Sequence, residues 1–204
     1  MDPQHVPTPA QEVARYQEHN NDPHDERYRT FLNRLAIPFL AQLHAVYSRD
    51  SPNQPDGEAL KILDFGSGPV PVLGEMLRES GHDVALYDPF FAPEQQVLQT
   101  NTYHGIVCCE TAEHFHRPGL MFQELFTYLR QAGTLGVMTT FLTEKTQFDR
   151  WYYRDDHTHV FFYRRTTMEW IANHWGYSLT VPRENVALFT HPAGVIHGET
   201  SRPG

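Results

Sequence analysis

The sequence is poor in cysteine, and its two cysteines are neighbours. Cys108 and Cys109 lie side by side within an apolar run, where they cannot form an ordinary structural disulfide. A chain without structural cross-links suits a reducing compartment, so we predict a cytoplasmic protein. The N-terminal residues have neither a basic start nor an apolar stretch, and no apolar run approaches the length of a membrane span. We therefore expect no signal peptide and no membrane partner.

Positive charge is also scarce. The 204 residues include 16 Lys and Arg against 25 Asp and Glu, giving a net charge of −9. Nucleic-acid binding depends on clustered Lys and Arg, so this balance disfavours a nucleic-acid partner and leaves a small molecule as the expected substrate. The composition does not indicate an oligomeric state.

The length and the hydrophobic pattern indicate one domain over residues 1–204. Residues 1–9 form a loose tail, 10–47 a helical segment and 60–191 an α/β core. Apolar periodicity predicts helices and alternating strands. The helices are 10–19, 26–47, 71–80, 118–130 and 166–175; the strands are 60–65, 83–87, 104–109, 133–140, 177–181 and 185–190. This alternation predicts a mostly parallel sheet with helices on both faces.

A glycine turn follows the first strand, but it lacks the third glycine of a dinucleotide site. Gly66, Ser67 and Gly68 come directly after Phe65, so the backbone can approach a ligand closely. Position 71 holds Pro71 instead of glycine, and with Pro69 it removes two amide donors that a pyrophosphate would need. The turn therefore favours a nucleoside without a pyrophosphate over NAD.

Two aspartates end the first two strands of the core. Asp88 follows Asp64 by 24 residues, close to the spacing of about 20 at which an acid binds ribose hydroxyls. We expect Asp88 to bind the ribose; the alternative is that it only begins the Asp-Pro-Phe turn. Asp64 is expected to order the glycine turn and also to reach the ligand.

The segments LDFGSGP, YDPFF, YHGIVCCETAEHF and LRQAGTLGVMTTF occur in that order. Together with the THVFFY segment, they resemble the motif series of class I S-adenosylmethionine-dependent methyltransferases. The resemblance covers about residues 60–181 and implies a Rossmann-like fold with S-adenosyl-L-methionine as the cofactor. It also implies that the glycine turn holds the cofactor, that Asp88 binds the ribose and that the methionine part lies near Glu110. We extend these cofactor contacts to Pro89, Phe90 and Cys109.

The sequence departs from this family in two places. Only fourteen residues separate Asp88 from Tyr103, where the family usually has a helix and a third strand bearing an adenine-binding acid. That region must be shortened or missing, and we expect backbone amides and the apolar wall of Phe90 and Phe91 to hold the adenine. His104 stands where the family usually has Asp, and we predict a structural role for it.

Two regions could act on the methyl acceptor. Glu110, Glu113 and His114 have the spacing of one helical turn, and His114 could position or deprotonate an acceptor; alternatively, it packs beneath the cofactor. The segment 148–160 is too polar for a core and too aromatic for a simple linker. We predict that its Tyr153 and His159 form a lid and an acceptor wall with His114. Alternatively, His159 only bonds a neighbouring backbone group.

Three further interpretations concern Tyr16, a group of aromatic residues and a helix N-cap. Tyr16 could place its ring against the cofactor's sulfonium, or only pin a surface helix. Phe161, Phe162 and Trp170 have apolar neighbours, which favours core positions, and Thr166 or Thr167 has the character of a helix N-cap.

Two His-x-His pairs, His114/His116 and His157/His159, raise the possibility of a metal. The chain has thirteen histidines, and no single run supplies a complete ligand set, so no metal site is predicted.

The sequence thus predicts a methyltransferase that transfers the methyl group of S-adenosylmethionine to a small or medium acceptor. Two alternatives remain open. One is a catalytically idle module that only binds the cofactor. The other is a nicotinamide-dependent oxidoreductase, which the missing third glycine disfavours.

Overall fold

The computed structural model describes residues 7–17, 21–47 and 59–191. Two helices precede the sheet, α1 (Pro9–Gln17) and α2 (Glu26–Val46). Thr8 and Gln11 exchange hydrogen bonds through their side chains and backbone amides, an N-terminal cap that fits Pro9 as the first helical residue. The Asp25 carboxylate caps α2 by accepting from the Arg27 amide at 2.8 Å. Both predicted N-terminal helices are therefore present, and α1 begins one residue earlier than predicted.

Six strands form one mixed sheet in the order β2-β1-β3-β4-β6-β5. The strands are β1 (Lys61–Phe65), β2 (Asp83–Tyr87), β3 (Tyr103–Cys109), β4 (Leu129–Met138), β5 (Ser178–Arg183) and β6 (Val186–Thr190). The first four run parallel, whereas β6 is antiparallel to both β4 and β5. Right-handed crossovers through helices make this arrangement the expected one for alternating strands and helices. The predicted mostly parallel sheet is confirmed.

Helices cover both faces of the sheet. The helices of the core are α3 (Val72–Glu79), α4 (Pro118–Tyr128) and α5 (Arg165–Trp175). One apolar core packs α2 and α3 against the sheet, and the other packs α4 and α5. The Phe39 ring of α2 packs closely on the sheet, since a Cβ added at Gly105 or Gly136 would come within 3.0 Å of it. These two glycines thus let α2 approach β3 and β4.

The chain between β2 and β3 contains no strand. Asp88 and Ala92 form an isolated bridge, and Gln95–Val97 forms one 3₁₀ turn. That turn is held by the Tyr103 hydroxyl, which donates to the Val97 carbonyl at 2.5 Å. As a result β2 is an edge strand of the sheet. The predicted loss of the third-strand region is confirmed.

Several local predictions differ from the structure. Strand β4 begins at Leu129, four residues early, because the chain enters the sheet directly from α4. Arg164 is the N-cap of α5, and Thr167 instead accepts a hydrogen bond from the Arg164 amide. Trp170 and Phe161 are not core residues, since 59% and 37% of their surfaces are exposed.

Other predictions lie outside the described residues, including most of the 1–9 tail and the end of the 10–19 helix. Within the described residues, no helix is long and apolar enough to cross a membrane.

His104 has the structural role that was predicted: its Nδ1 accepts from the Lys61 amide at 2.9 Å, and Arg130 lies 2.9 Å from its Nε2.

Candidate active site

A cavity of about 1160 Å³ lies at the carboxyl ends of β1, β2 and β3, where open α/β sheets bind ligands. Its walls are formed by the loops that follow these strands, by the segment 148–160 after β4 and by residues of α1, α2 and α3. The predicted site residues that line it are Tyr16, Asp64, Gly66, Ser67, Gly68, Asp88, Pro89, Phe90, Cys109, Glu110, His114, Tyr153 and His159, whereas Phe91, predicted as part of the adenine wall, does not line it. The structure thus brings together residues that span most of the chain.

The glycine turn is anchored to the end of β2. The Gly66 and Ser67 amides both donate to the Tyr87 carbonyl, at 2.8 and 3.2 Å. Gly66 and Gly68 have φ angles of 80° and 67°, which side chains rarely tolerate. A Cβ on Gly66 would come within 2.2 Å of the Thr111 side chain, whereas a Cβ on Gly68 would meet no protein atom within 4 Å. Gly66 is therefore required by the neighbouring loop, and Gly68 leaves open space.

Asp64 lies buried beneath this turn. Its carboxylate receives a hydrogen bond from the Gly74 backbone near the start of α3, but burial outweighs that bond and raises the pKa of Asp64 to about 7. This contact ties Asp64 to α3, and the ordering of the glycine turn by Asp64 stays a prediction. Asp64 also lines the cavity, so it is close enough to act on a ligand.

Asp88 joins the glycine turn to the loop after β2. One carboxylate oxygen accepts from the Gly68 amide at 3.0 Å, and the other accepts from the Phe90 and Phe91 amides at 2.9 and 3.1 Å. Asp88 therefore does begin the Asp-Pro-Phe turn, the role that the sequence left open as an alternative. A carboxylate has about four acceptor sites, so these three bonds leave about one site for a ribose hydroxyl. Ribose binding by Asp88 stays a prediction.

Two glutamates and a tyrosine form a buried polar cluster on the floor of the cavity. The Tyr153 hydroxyl donates to Glu113 Oε1 at 2.5 Å and lies 3.3 Å from Glu110 Oε2. It also lies 3.1 Å from Thr139 Oγ1. Burial raises the pKa of Glu110 to about 8, with the charge of Glu113 adding to the effect, and burial raises the pKa of Glu113 to about 7. Burial and the two carboxylates also raise the pKa of Tyr153, so it is a neutral hydrogen-bond donor.

His114 and His159 stand beside this cluster. Their rings are 4.9 Å apart, and the His159 ring lies 4.2 Å from the Tyr153 ring. Nδ1 of His114 lies 2.9 Å from the Thr158 carbonyl, and Nδ1 of His159 lies 2.6 Å from the Tyr153 carbonyl. The three residues of the predicted acceptor wall are therefore adjacent. The backbone contact that was the alternative role of His159 is present as well.

Helix α1 covers the cavity. Tyr16 packs its ring against Phe90, Phe91 and His114, with centroids 6.0, 6.4 and 5.2 Å apart. Arg15 forms an ion pair with Asp156 at 2.8 Å, which ties α1 to the segment 148–160. Tyr16 thus contacts both the loop after β2 and His114. A residue that only pinned a surface helix, the alternative role, would not need these contacts.

Sequence reasoning missed several residues that line the cavity. Glu113 was considered only with its neighbours, and Arg15, Tyr28 and Thr111 were not considered as site residues. Tyr28 lies on α2, and burial raises the pKa of its hydroxyl, which lies near Asp64, Cys109 and Glu110. Arg15 and Tyr28 lie outside the motif segments, whereas Thr111 and Glu113 lie within YHGIVCCETAEHF without a spacing that shows their roles. Their positions depend on contacts between distant segments, such as the 141-residue separation of Arg15 and Asp156.

The residues present fit S-adenosylmethionine, the cofactor that the resemblance implies. Ser67 Oγ and Glu110 Oε1 are buried without a hydrogen-bond partner in the described part of the chain, and both residues line the cavity. Such atoms need partners, and an amino acid moiety with ammonium and carboxylate groups can supply them. The open space at Gly68 allows a nucleoside to approach the turn. The loop after β2 offers the Phe90 ring to the cavity in place of a third-strand acid.

A family model described as "Methyltransferase domain" matches residues 16–180, most of the chain and all of the cavity walls contributed by β1 to β4. No curated protein matches the chain.

Solved structures show the same fold at low identity. A 1,6-didemethyltoxoflavin-N1-methyltransferase from Burkholderia thailandensis, with S-adenosylhomocysteine bound, has a TM-score of 0.54 and 15% identity, covering 91% of both chains. An O-methyltransferase family protein from the same organism has a TM-score of 0.55 and 10% identity, covering 90% of this chain and 64% of that one. The [4+2]-cyclase SpnF has a TM-score of 0.51 and 15% identity, covering 86% and 75%.

The family match, the sheet order and the fit of the cavity agree with one another. The chain belongs to the methyltransferase-domain family, and it is a class I S-adenosylmethionine-dependent methyltransferase.

Proposed function

We propose that the protein methylates a small or medium acceptor molecule that binds between the glycine turn and the wall formed by His114, Tyr153 and His159. The observation that carries the proposal is the continuous cavity, which runs from Gly68 to this wall and measures about 1160 Å³. Ligand sites commonly measure about 300–1,000 Å³. The volume therefore accommodates the cofactor together with a second molecule.

The cofactor supplies an electrophilic methyl group on a sulfonium. A lone pair of the acceptor forms the new bond to the methyl carbon as the carbon–sulfur bond breaks, and the electrons of that bond stay on sulfur. An acceptor O–H or N–H releases its proton. Alignment of the two partners can supply about 7–11 kcal/mol of the barrier reduction in favourable cases, so binding geometry is the main contribution of the protein.

The residues of the wall have different roles in this proposal. His114 and His159 face the acceptor and orient its nucleophilic group. Tyr153 is a positioning residue, because its hydroxyl is engaged by Glu113 and Glu110 while its carbonyl lies against the His159 ring. Helix α1 closes the cavity above them through Tyr16 and Arg15, which excludes water from the reacting groups.

Charge supports a small molecule over a nucleic acid. With a net charge of −9, the protein has few Lys and Arg side chains in excess of its acids to bind phosphates. Arg15, one of the arginines at the cavity, is already paired with Asp156. A cytoplasmic location remains part of the proposal.

The experiment is methyl transfer from labelled S-adenosylmethionine into a cell extract, separated into small molecules and macromolecules. We expect label in the small-molecule fraction. A His159→Asn variant sharpens the test, because the Asn amide can still donate to the Tyr153 carbonyl but has no counterpart of Nε2. It should reduce the transfer rate at least about tenfold, or about 1.4 kcal/mol in the barrier.

Cofactor affinity and melting temperature should stay close to wild type in His159→Asn. His174→Ala, an exposed histidine on α5 outside the cavity lining, serves as the control and should transfer at the wild-type rate. Full activity in His159→Asn would remove His159 from the acceptor site. If the wild-type protein binds the cofactor but labels no fraction, it is the idle module instead.

A further inference from the structure

The two His-x-His segments meet in the folded protein. One ligating atom each from Glu113, His114 and His159 lie within 4.8 Å of one another. The histidines are separated by 45 positions in the sequence, so neither segment alone shows this set. His116 turns away from it and lies 3.5 Å from Glu12.

The backbone orients both imidazoles of this cluster. A carbonyl oxygen can only accept, so Nδ1 of His114 donates to Thr158 and Nδ1 of His159 donates to Tyr153. A neutral imidazole that donates through Nδ1 presents its lone pair at Nε2. Histidines that bind metals usually donate their other ring N–H to a carbonyl or carboxylate in this way. The outer contacts of a metal site are therefore already in place.

Glu113 provides an independent sign of a missing ligand. Its side chain is fully buried, and Oε1 is held by the Tyr153 hydroxyl. Oε2 is buried and has no hydrogen-bond partner among the described residues. A buried side-chain oxygen without a partner is costly, and neither Lys nor Arg pairs with Glu113 in the described ranges. Either a proton or a cation at this position would satisfy it, and the two imidazoles beside it are ligands for a cation.

We propose that Glu113, His114 and His159 bind one divalent transition-metal ion of the zinc type. Two histidines and one carboxylate form a set that leaves coordination positions open. Ligand atoms on a tetrahedral zinc lie about 3.3 Å apart, from bond lengths of about 2.0–2.1 Å. The ligating atoms, now within 4.8 Å of one another, would have to approach by up to about 1.5 Å per pair to reach these tetrahedral separations.

The role of this ion in methylation rests on the proposed function, and the two histidines would then act on the acceptor through the ion. An open coordination position facing the cavity would bind an acceptor through a lone pair on oxygen, nitrogen or sulfur, all of which are ligands for zinc-type ions. Coordination would lower the pKa of a bound O–H, N–H or S–H group, which would release the acceptor's proton to solvent before that atom receives the methyl group. The inferred acceptor class is thus a protic molecule that coordinates the ion through the atom to be methylated.

The test is titration of the full-length, chelator-treated protein with Co²⁺ and with Zn²⁺, followed by calorimetry and by the visible absorption of Co²⁺. We expect one ion per chain. Affinity should fall at least about tenfold in His114→Ala, in His159→Asn and in Glu113→Gln, which preserves the shape of the side chain. The matched controls are His116→Ala and His157→Ala, the other members of the two pairs, and they should bind as wild type does. Melting temperatures confirm that each variant is folded.

Absence of binding at one site per chain overturns the proposal, as does binding that is lost in the controls but kept in the ligand variants. Chelator-treated protein should still bind S-adenosylhomocysteine, which separates this inference from the proposed function. If chelated protein methylates a small molecule at the full rate, the metal has no role and the proposed function stands. If the ion binds as expected but no small molecule is labelled, the metal site stands and the proposed acceptor does not.

Discussion

Replacement of Gly68 by valine is expected to weaken cofactor binding at least about 100-fold, or about 2.7 kcal/mol. A Cβ at this position meets no protein atom within 4 Å, so the branched side chain would project into the cavity instead of clashing with the fold. The open space beside the glycine turn is where the nucleoside must approach the backbone. Calorimetric titration with S-adenosylhomocysteine measures the change directly.

Gly81 provides the matched control for this variant. It lies in the turn between α3 and β2, has a φ angle of 89° and also has no atom within 4 Å of an added Cβ. Valine at either position has the same backbone strain, about 1–2 kcal/mol, and should lower the melting temperature comparably. Only Gly68→Val should lose affinity. Equal affinity in the two folded variants would contradict the placement of the cofactor at the turn.

Replacement of Asp88 by asparagine is expected to weaken cofactor binding by about 2–3 kcal/mol, because hydrogen bonds to a charged group are lost. Asparagine can still accept from the Phe90 and Phe91 amides through its one oxygen, so the loop after β2 keeps most of its support. Asp88→Ala would remove that support as well, so a loss of affinity could come from a disturbed loop or from lost ribose contacts. The asparagine variant is therefore the cleaner test, and it also loses the hydrogen bond from the Gly68 amide, because the Asn amide nitrogen cannot accept it.

The control is Asp83→Asn, which makes the same change at the exposed start of the same strand. Its cofactor affinity should equal that of the wild type. If Asp88→Asn also binds normally, the carboxylate only organises the two loops, and another group binds the ribose.

The order of elements could be predicted because each helix and strand has its own periodic pattern. The apolar stripe of α2 is a good example, since Leu35, Phe39 and Leu43 are all fully buried. The short stretch between Asp88 and Tyr103 likewise showed that a strand was missing. Burial of Trp170 could not be judged from neighbouring residues, because it depends on which face of α5 meets the sheet. The indole lies on the outer face and stacks on His174 at 4.7 Å.

The candidate site was predictable where residues follow strand ends. Motif spacing placed Gly66, Gly68 and Asp88 at the cavity because parallel strands end on one edge of a sheet. Contacts between distant loops carry no such signal. The hydrogen bond from Tyr153 to Glu113 joins residues 40 positions apart, and the side chain of Thr111 explains why Gly66 must be glycine.

The central claim is that the cavity holds S-adenosylmethionine, and calorimetry on the wild-type protein tests it most directly. Purified protein is titrated in parallel with S-adenosylhomocysteine and with NADH. The glycine turn, with Pro69 and Pro71 in place of two amide donors, should bind S-adenosylhomocysteine at one site per chain and give no heat with NADH. Preferential binding of NADH, or no binding of S-adenosylhomocysteine by folded protein, would contradict the account.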